Sequence, residues 1–157
     1  MIRLIDGLIG LFSKIPHSLI ALLARLSIGL TFWNSGQTKL ADYVLCLPRL
    51  SCFHANPFAL NGSAITLFEN DYIIPHVPPM IAAHSAALAE FTLPILLFVG
   101  LATRFAAFGL LVMTLVIEVF VYPGAYVVHG LWATILITLI KYGPGKISLD
   151  HWLARRY

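Results

Sequence analysis

Two carboxylates, Glu90 and Glu118, stand inside apolar runs long enough to cross a lipid bilayer. A charged side chain at the centre of a membrane helix costs roughly 2.5–3.5 kcal/mol on insertion scales, so it is kept there by a partner, a cavity or a function. These two are the catalytic candidates, as groups that could carry a proton within the membrane. Other polar residues gather around them. Asn34, Gln37 and Lys39 close the first apolar run, His84 precedes Glu90, and Tyr122, Tyr126 and His129 follow Glu118.

Two kinds of site can be built from this set. His84, Glu118 and His129 would suit a hard or borderline cation if three different helices brought them together. Gln37, Lys39, His84, Glu90 and Tyr122 would instead line a cofactor pocket opening outward, with Glu118 beside Gln37 and His84 at its polar head. That pocket would hold a small polar head, with Glu90 as the deeper, proton-linked group. Plainer readings stand beside both. Asn34, Ser35 and Gln37 serve as interhelical hydrogen-bond glue. The histidines are hydrogen-bonded or interfacial. Glu118 is neutral and hydrogen-bonded. Arg25, on the inner half of the first helix, snorkels or pairs with Glu90 to fix the packing.

The elements that must position these residues are membrane helices. The chain has 157 residues, of which 59% are hydrophobic and only 11% charged, with a mean hydropathy of +0.87. A soluble domain carries about 25% charged residues, so lipid is the expected solvent. The net charge of +3 is spread thinly and is no nucleic-acid signal. Four runs, about residues 18–40, 79–101, 104–122 and 126–142, approach the ~20 residues that a bilayer core demands. They are too long and too uniformly apolar for barrel strands. The fold class expected is all-α: one transmembrane domain over residues 1–157, a polytopic four-helix bundle.

Local punctuation sets the ends. Gly100 is placed to end the second helix and the Thr103 hydroxyl to cap the third. Pro123-Gly124 suits a tight turn, and Gly143-Pro144-Gly145 stops the fourth helix. Pro94 is expected to kink the second helix near Glu90. Gly109, Ala86, Ala87, Ala89, Ala106 and Ala107 permit close helix contact. The first apolar run is longer than the core of a cleaved leader and no clear small-x-small cleavage site follows it; before it, Leu4, Leu8, Leu11 and Ile15 recur at helical spacing, so residues 1–13 read as an interfacial N-terminal helix. Residues 147–153 read as a short C-terminal amphipathic segment. Arg3, Lys14, Arg104, Lys141, Lys146, Arg155 and Arg156 fall on one side, against Lys39 and Arg49 on the other. The positive-inside rule then places both termini in the cytoplasm.

An outer loop, about residues 41–78, holds the two cysteines. In an oxidising compartment Cys46 and Cys52 could close a disulfide; free thiols and a redox or metal-handling pair are the alternatives. Asn61-Gly62-Ser63 is a formal glycosylation sequon. No haem, flavin or iron–sulfur motif is present.

Several stretches together resemble the DoxX family over nearly the whole chain. They are residues 35–39 (SGQTK), Glu90 and Pro94, residues 101–104 (LATR), residues 120–123 (FVYP), residues 143–145 (GPG) and residues 148–151 (SLDH). The resemblance implies a four-helix membrane bundle in the bacterial cytoplasmic (inner) membrane. Relatives include the small membrane subunit of thiosulfate:quinone oxidoreductases. Another subgroup accompanies peptide-modifying iron oxidases in metal-stress operons; Phe68-Glu69 and residues 75–79 are more similar to that one. The chain departs from it at Glu118, where Gln is more usual. The function implied is a membrane accessory of a quinone-linked redox or metal-homeostasis system, with quinone as the expected ligand. Any catalysis would be as a membrane subunit of a quinone-linked oxidoreductase. The partners expected are the bilayer and a membrane or extracytoplasmic protein, with an oligomer open. The other readings are a scaffold or anchor without chemistry and a component that moves a metal or metallophore.

Overall fold

The computed structural model describes residues 9–41, 44–46, 52–54, 56 and 58–156, and for 44–46 and 52–54 only the backbone. Four apolar helices dominate: α1 (His17–Gln37), α3 (Pro79–Val99), α4 (Thr103–Val116) and α5 (Tyr126–Tyr142). A π-helical turn (Ile117–Val121) prolongs α4, giving a continuous helical run of 19 residues. α1, α3 and the extended α4 are long and apolar enough to cross a membrane; α5, with 17 residues, is a turn shorter. A short helix, α2 (Gly62–Asn70), precedes α3, and another, α6 (Leu149–Ala154), follows α5. Two three-residue strands, β1 (Val44–Cys46) and β2 (Cys52–His54), pair antiparallel in the outer loop.

Short links force α3, α4 and α5 to run antiparallel to one another. α1 packs mainly on α3, and α5 on α4. The core is built from small and branched residues: Ala21, Ile28 and Phe32 of α1, Leu97 of α3, Ala106, Ala107 and Leu110 of α4, and Leu136 and Leu139 of α5. Alanines where helices cross let backbones approach, which drives association in lipid, where burial of apolar surface gains little. Leu23, Leu30, Phe105, Phe108, Leu115, Leu131 and Ile137 point outward and are exposed. In water such a girdle would be an aggregation surface; in a bilayer it is the lipid-facing side.

The helix ends follow the punctuation in part. Gly100 ends α3 in the left-handed conformation at φ 70°, and Gly143 ends α5. Pro123 keeps Tyr122 out of the α region, so the π turn stops there (φ −130°, ψ 66°). The cap of α4 differs from expectation. The Thr103 hydroxyl is buried without a hydrogen-bond partner among the described residues. Asp150, 47 positions away, supplies the acceptors instead: its two oxygens take the N–H groups of Ala102 and Thr103 at 2.7 and 2.9 Å. A carboxylate facing a helix N-terminus satisfies two orphan donors and meets the positive end of the dipole. In return the Asp150 N–H donates to the Gly100 carbonyl at 2.9 Å.

Residues 58–78 of the loop between α1 and α3 are fastened to the bundle. Asn61 caps α2 by accepting from the Ala64 N–H at 2.6 Å. It also donates to the carbonyl of Thr38 (2.7 Å) from its side chain and to that of Lys39 (3.0 Å) from its backbone. The sequon asparagine is therefore a fastener between the loop and the end of α1. Ala64 and Phe68 form the buried face of α2, and Phe68 packs on Ala82 and Ala83 of α3. The ladder sets Cys46 opposite Cys52 in backbone register; the disulfide reading concerns side chains outside the described residues. Of the N-terminal segment, residues 9–12 are helical, with Ile9, Leu11 and Phe12 exposed; residues 1–8 lie outside the description.

Candidate functional site

The SGQTK stretch at the end of α1 acts as a unit. Ser35 and Lys39 are four positions apart and share a face, while Gly36 between them is buried against α3. A Cβ on Gly36 would lie 3.0 Å from Glu90 Cβ and 3.1 Å from the Glu90 carbonyl oxygen. Glycine thus lets α1 touch α3 at Glu90. Four residues on, Pro94 has no N–H to offer that carbonyl, so the helix ladder is interrupted at this level.

The close approach brings a cation to the acid. Lys39 Nζ lies 2.7 Å from Glu90 Oε2 and donates also to the Ser35 hydroxyl (3.0 Å) and carbonyl (3.3 Å). All three ammonium hydrogens are thereby satisfied. Both residues are buried, Lys39 at 8% and Glu90 at 3% exposure. Opposite charges at this depth stabilise one another enough to be kept only when the geometry is good and the remaining hydrogen bonds are made.

Arg25 is not the partner of Glu90. It sits eleven residues before Gly36 on α1, roughly 16 Å along the axis. There, buried at 1% exposure, its guanidinium donates to the Leu97 carbonyl (3.3 Å) and to the carbonyl of Ile147. It joins the C-terminal end of α3 to the segment that leads into α6. A side chain at Gly100 would collide with it, the Cβ falling 2.1 Å from a guanidinium nitrogen.

Above the Lys39–Glu90 pair lies a cavity of about 440 Å³, within the range of small-molecule sites. Ser35, Lys39 and Glu90 line its polar end, and Ala82, Ala86, Ala89, Gly109, Val112 and Met113 line its apolar walls. Phe68, Tyr72 and Ile74 of the outer loop cover it, together with Ile117, Val121 and Tyr122 of the π turn. The hydroxyls of Tyr72 and Tyr122 are 2.5 Å apart, and Tyr72 stands edge-on to Phe68 at 5.4 Å. Burial first, and then the Tyr122 hydrogen bond, push the Tyr72 phenol above its ordinary range, so it stays a donor.

Of the expected pocket residues, Lys39, Glu90 and Tyr122 line this cavity; Gln37 and His84 do not. Gln37 is two residues from both Ser35 and Lys39, about 200° around the helix, and so points elsewhere. The His84 ring turns back on its own helix, its Nδ1 2.8 Å from the Met80 carbonyl. Tyr72 and Phe68 were not singled out for the pocket. Their signal was local: a capping Asn61 followed by Ala64 and Phe68 at helical spacing.

The second acid belongs to a separate place. Glu118 Oε2 is 2.5 Å from His129 Nδ1, and its Oε1 accepts from the Gly124 N–H at 3.2 Å. The π turn positions it, closing with a Tyr122 N–H to Ile117 carbonyl bond of 2.8 Å. This extra-wide turn swings the following residues round the axis, a device common at functional sites. His129 stacks near Trp132, with centroids 5.0 Å apart. Of the three expected metal ligands, Glu118 and His129 meet and His84 does not join them. No group of three His, Cys, Asp or Glu able to hold a metal ion is found among the described residues.

No curated protein and no solved structure matches the chain. The DoxX family model matches residues 20–123, a stretch that contains the Lys39–Glu90 pair, the cavity above it and the Tyr72–Tyr122 contact. With a match over most of its length and a bundle of apolar, membrane-length helices, the chain belongs to the DoxX family and is an integral membrane protein.

Proposed function

We propose that the chain binds a membrane quinone, or a ring of the same chemistry, in the cavity above Lys39 and Glu90, as an accessory of a redox system. The single observation behind this reading is the cavity itself. Its walls are apolar, as a lipid-borne ring requires, and its only buried charges are a cation and an acid held together at one end.

The donor set fits such a ring. Lys39 would present an ammonium hydrogen to one ring oxygen, giving up a bond to Ser35. Glu90 would hold the ammonium in place. Tyr72, a donor across the physiological range, would face the ligand from the mouth. Lys39 and Glu90 could also pass a proton between them at 2.7 Å. When bound, the ring supplies a two-electron, two-proton couple. The electrons come from a partner protein, which is why the role proposed is that of an accessory. The excess of Lys and Arg on one side favours both termini facing the cytoplasm, and the family resemblance implies a bacterial inner membrane; Lys39, on the other side, is buried in the bundle. The metal-homeostasis reading has less behind it, since Glu118 and His129 alone offer too few donors for a stable cation site.

The test uses the purified protein in nanodiscs with a ubiquinone or menaquinone analogue. Saturable binding is expected, weakened about tenfold or more by Lys39→Met, which removes a charge-assisted hydrogen bond. Absence of binding by the folded wild type, or unchanged affinity in a folded Lys39→Met, overturns the proposal.

A further inference from the structure

The end of the bundle where α1 begins and α5 finishes carries a second cavity, of about 590 Å³. Its rim is basic: His17 from the start of α1, Arg104 from α4, Lys146 from the turn after α5 and His151 from α6. Asp150 is the one carboxylate in its lining, and it is engaged, both oxygens being held by the N–H groups that open α4. Among the described residues, neither Arg104 nor Lys146 makes an ion pair or a side-chain hydrogen bond. Arg104 lies over the α5 turn, its guanidinium 3.4 Å from where a Cβ of Gly143 would stand. The fold therefore occupies the local acid elsewhere and leaves two cations facing a cavity.

The surroundings are those of a membrane boundary. Beside Arg104 in sequence, Phe105 is 81% exposed, and Phe108 continues the same lipid-facing strip one turn deeper. Trp152 of α6, next in sequence to His151, is exposed as well. Exposed aromatic rings beside cations are the chemistry that meets an anionic headgroup region.

We propose that this cavity is a binding site for a phosphate-bearing anion, with Arg104 and Lys146 as its charge partners and His17 and His151 as flanking groups. A phospholipid headgroup and a free phosphate share this chemistry, and the experiment separates them. The inference is independent of the quinone reading.

The full chain, purified in a neutral detergent, is titrated with phosphatidylglycerol, with phosphatidylcholine and with inorganic phosphate, and bound species are counted by native mass spectrometry. The expected result is preferential retention of phosphatidylglycerol. At roughly fivefold per cation near a headgroup, the Arg104→Gln, Lys146→Gln double variant is expected to weaken it about thirtyfold. Arg155→Gln with Arg156→Gln, outside the cavity, should change it less than threefold. Inorganic phosphate binding with the same dependence on Arg104 and Lys146 supports the site with a soluble anion as its occupant. If the double variant does not fold, Lys146→Gln alone, expected at roughly fivefold, decides. Failure of both anions to bind the folded wild type overturns the proposal. So does an equal loss in the Arg155, Arg156 variant, since diffuse charge would then account for the binding.

Discussion

Lys39 Nζ and Glu90 Oε2 lie 2.7 Å apart, joining the residue just beyond α1 to the middle of α3. Each is buried and each is the other's charge partner. Removing one leaves an uncompensated charge, typically at a cost of about 3–5 kcal/mol, whereas replacing both with apolar residues is often neutral or stabilising. Glu90→Leu and Lys39→Met are each expected to lower thermal stability in detergent, and the double variant to recover most of the loss. Two additive losses would show that the pair is not coupled.

Gly36 sets the distance at which this pair forms. Alanine there is expected to push α1 from α3, because its Cβ would meet Glu90 backbone and Cβ at 3.0–3.1 Å. Overpacking of this kind costs about 1–3 kcal/mol. Thermal unfolding of Gly36→Ala should show the drop, and quinone-analogue affinity should fall with it. A variant as stable as wild type would mean that the helices are not in contact there.

Tyr72 gives a pH signature. Burial and the Tyr122 hydroxyl hold its phenol above the ordinary value near 10. A raised acid favours its protonated form in the fold. The stabilisation is thus complete below about pH 10 and is lost as pH climbs through the folded value. Of the six tyrosines in the chain, Tyr72 should be among the last to ionise. An ultraviolet phenolate titration of Tyr72→Phe should lack the most alkaline step seen in the wild type; an unchanged curve would contradict the Tyr72–Tyr122 contact.

Arg25 is a structural clamp. Its loss takes a charged donor from the Leu97 and Ile147 carbonyls, the former keeping the Gly100 N–H at 3.2 Å, and opens a void beside Gly100. Arg25→Met is expected to loosen the segment between α5 and α6, so that limited proteolysis cuts within residues 143–148 faster than in wild type. Stability should fall by about 1.5–3 kcal/mol, the range for hydrogen bonds made by a charged group. Unchanged cleavage would place the anchor of α6 elsewhere, with Asp150 as the first candidate.

Much of the fold was legible because it is written locally. Hydropathy over some twenty residues makes a span, and Gly100, Pro123 and Gly143 break the chain through their own backbone preferences. The family stretches added order to that pattern, and Gly36, Lys39 and Glu90 were already among them. α2 was harder to see, since nine residues with Gly62 at the start carry little helix signal until Phe68 finds Ala82 and Ala83.

What belonged to the sequence by itself was the solvent, the number of spans and the places where they stop. The tertiary structure alone decided that Glu90 meets Lys39 rather than Arg25, that Asp150 rather than Thr103 caps α4, and that Glu118 pairs with His129 while His84 stays apart. The reason is physical. Helices apolar on nearly every side have no strong face to announce their rotation, so azimuth and offset are chosen by small-residue contacts and a few polar pairs across helices, none of which a single helix contains.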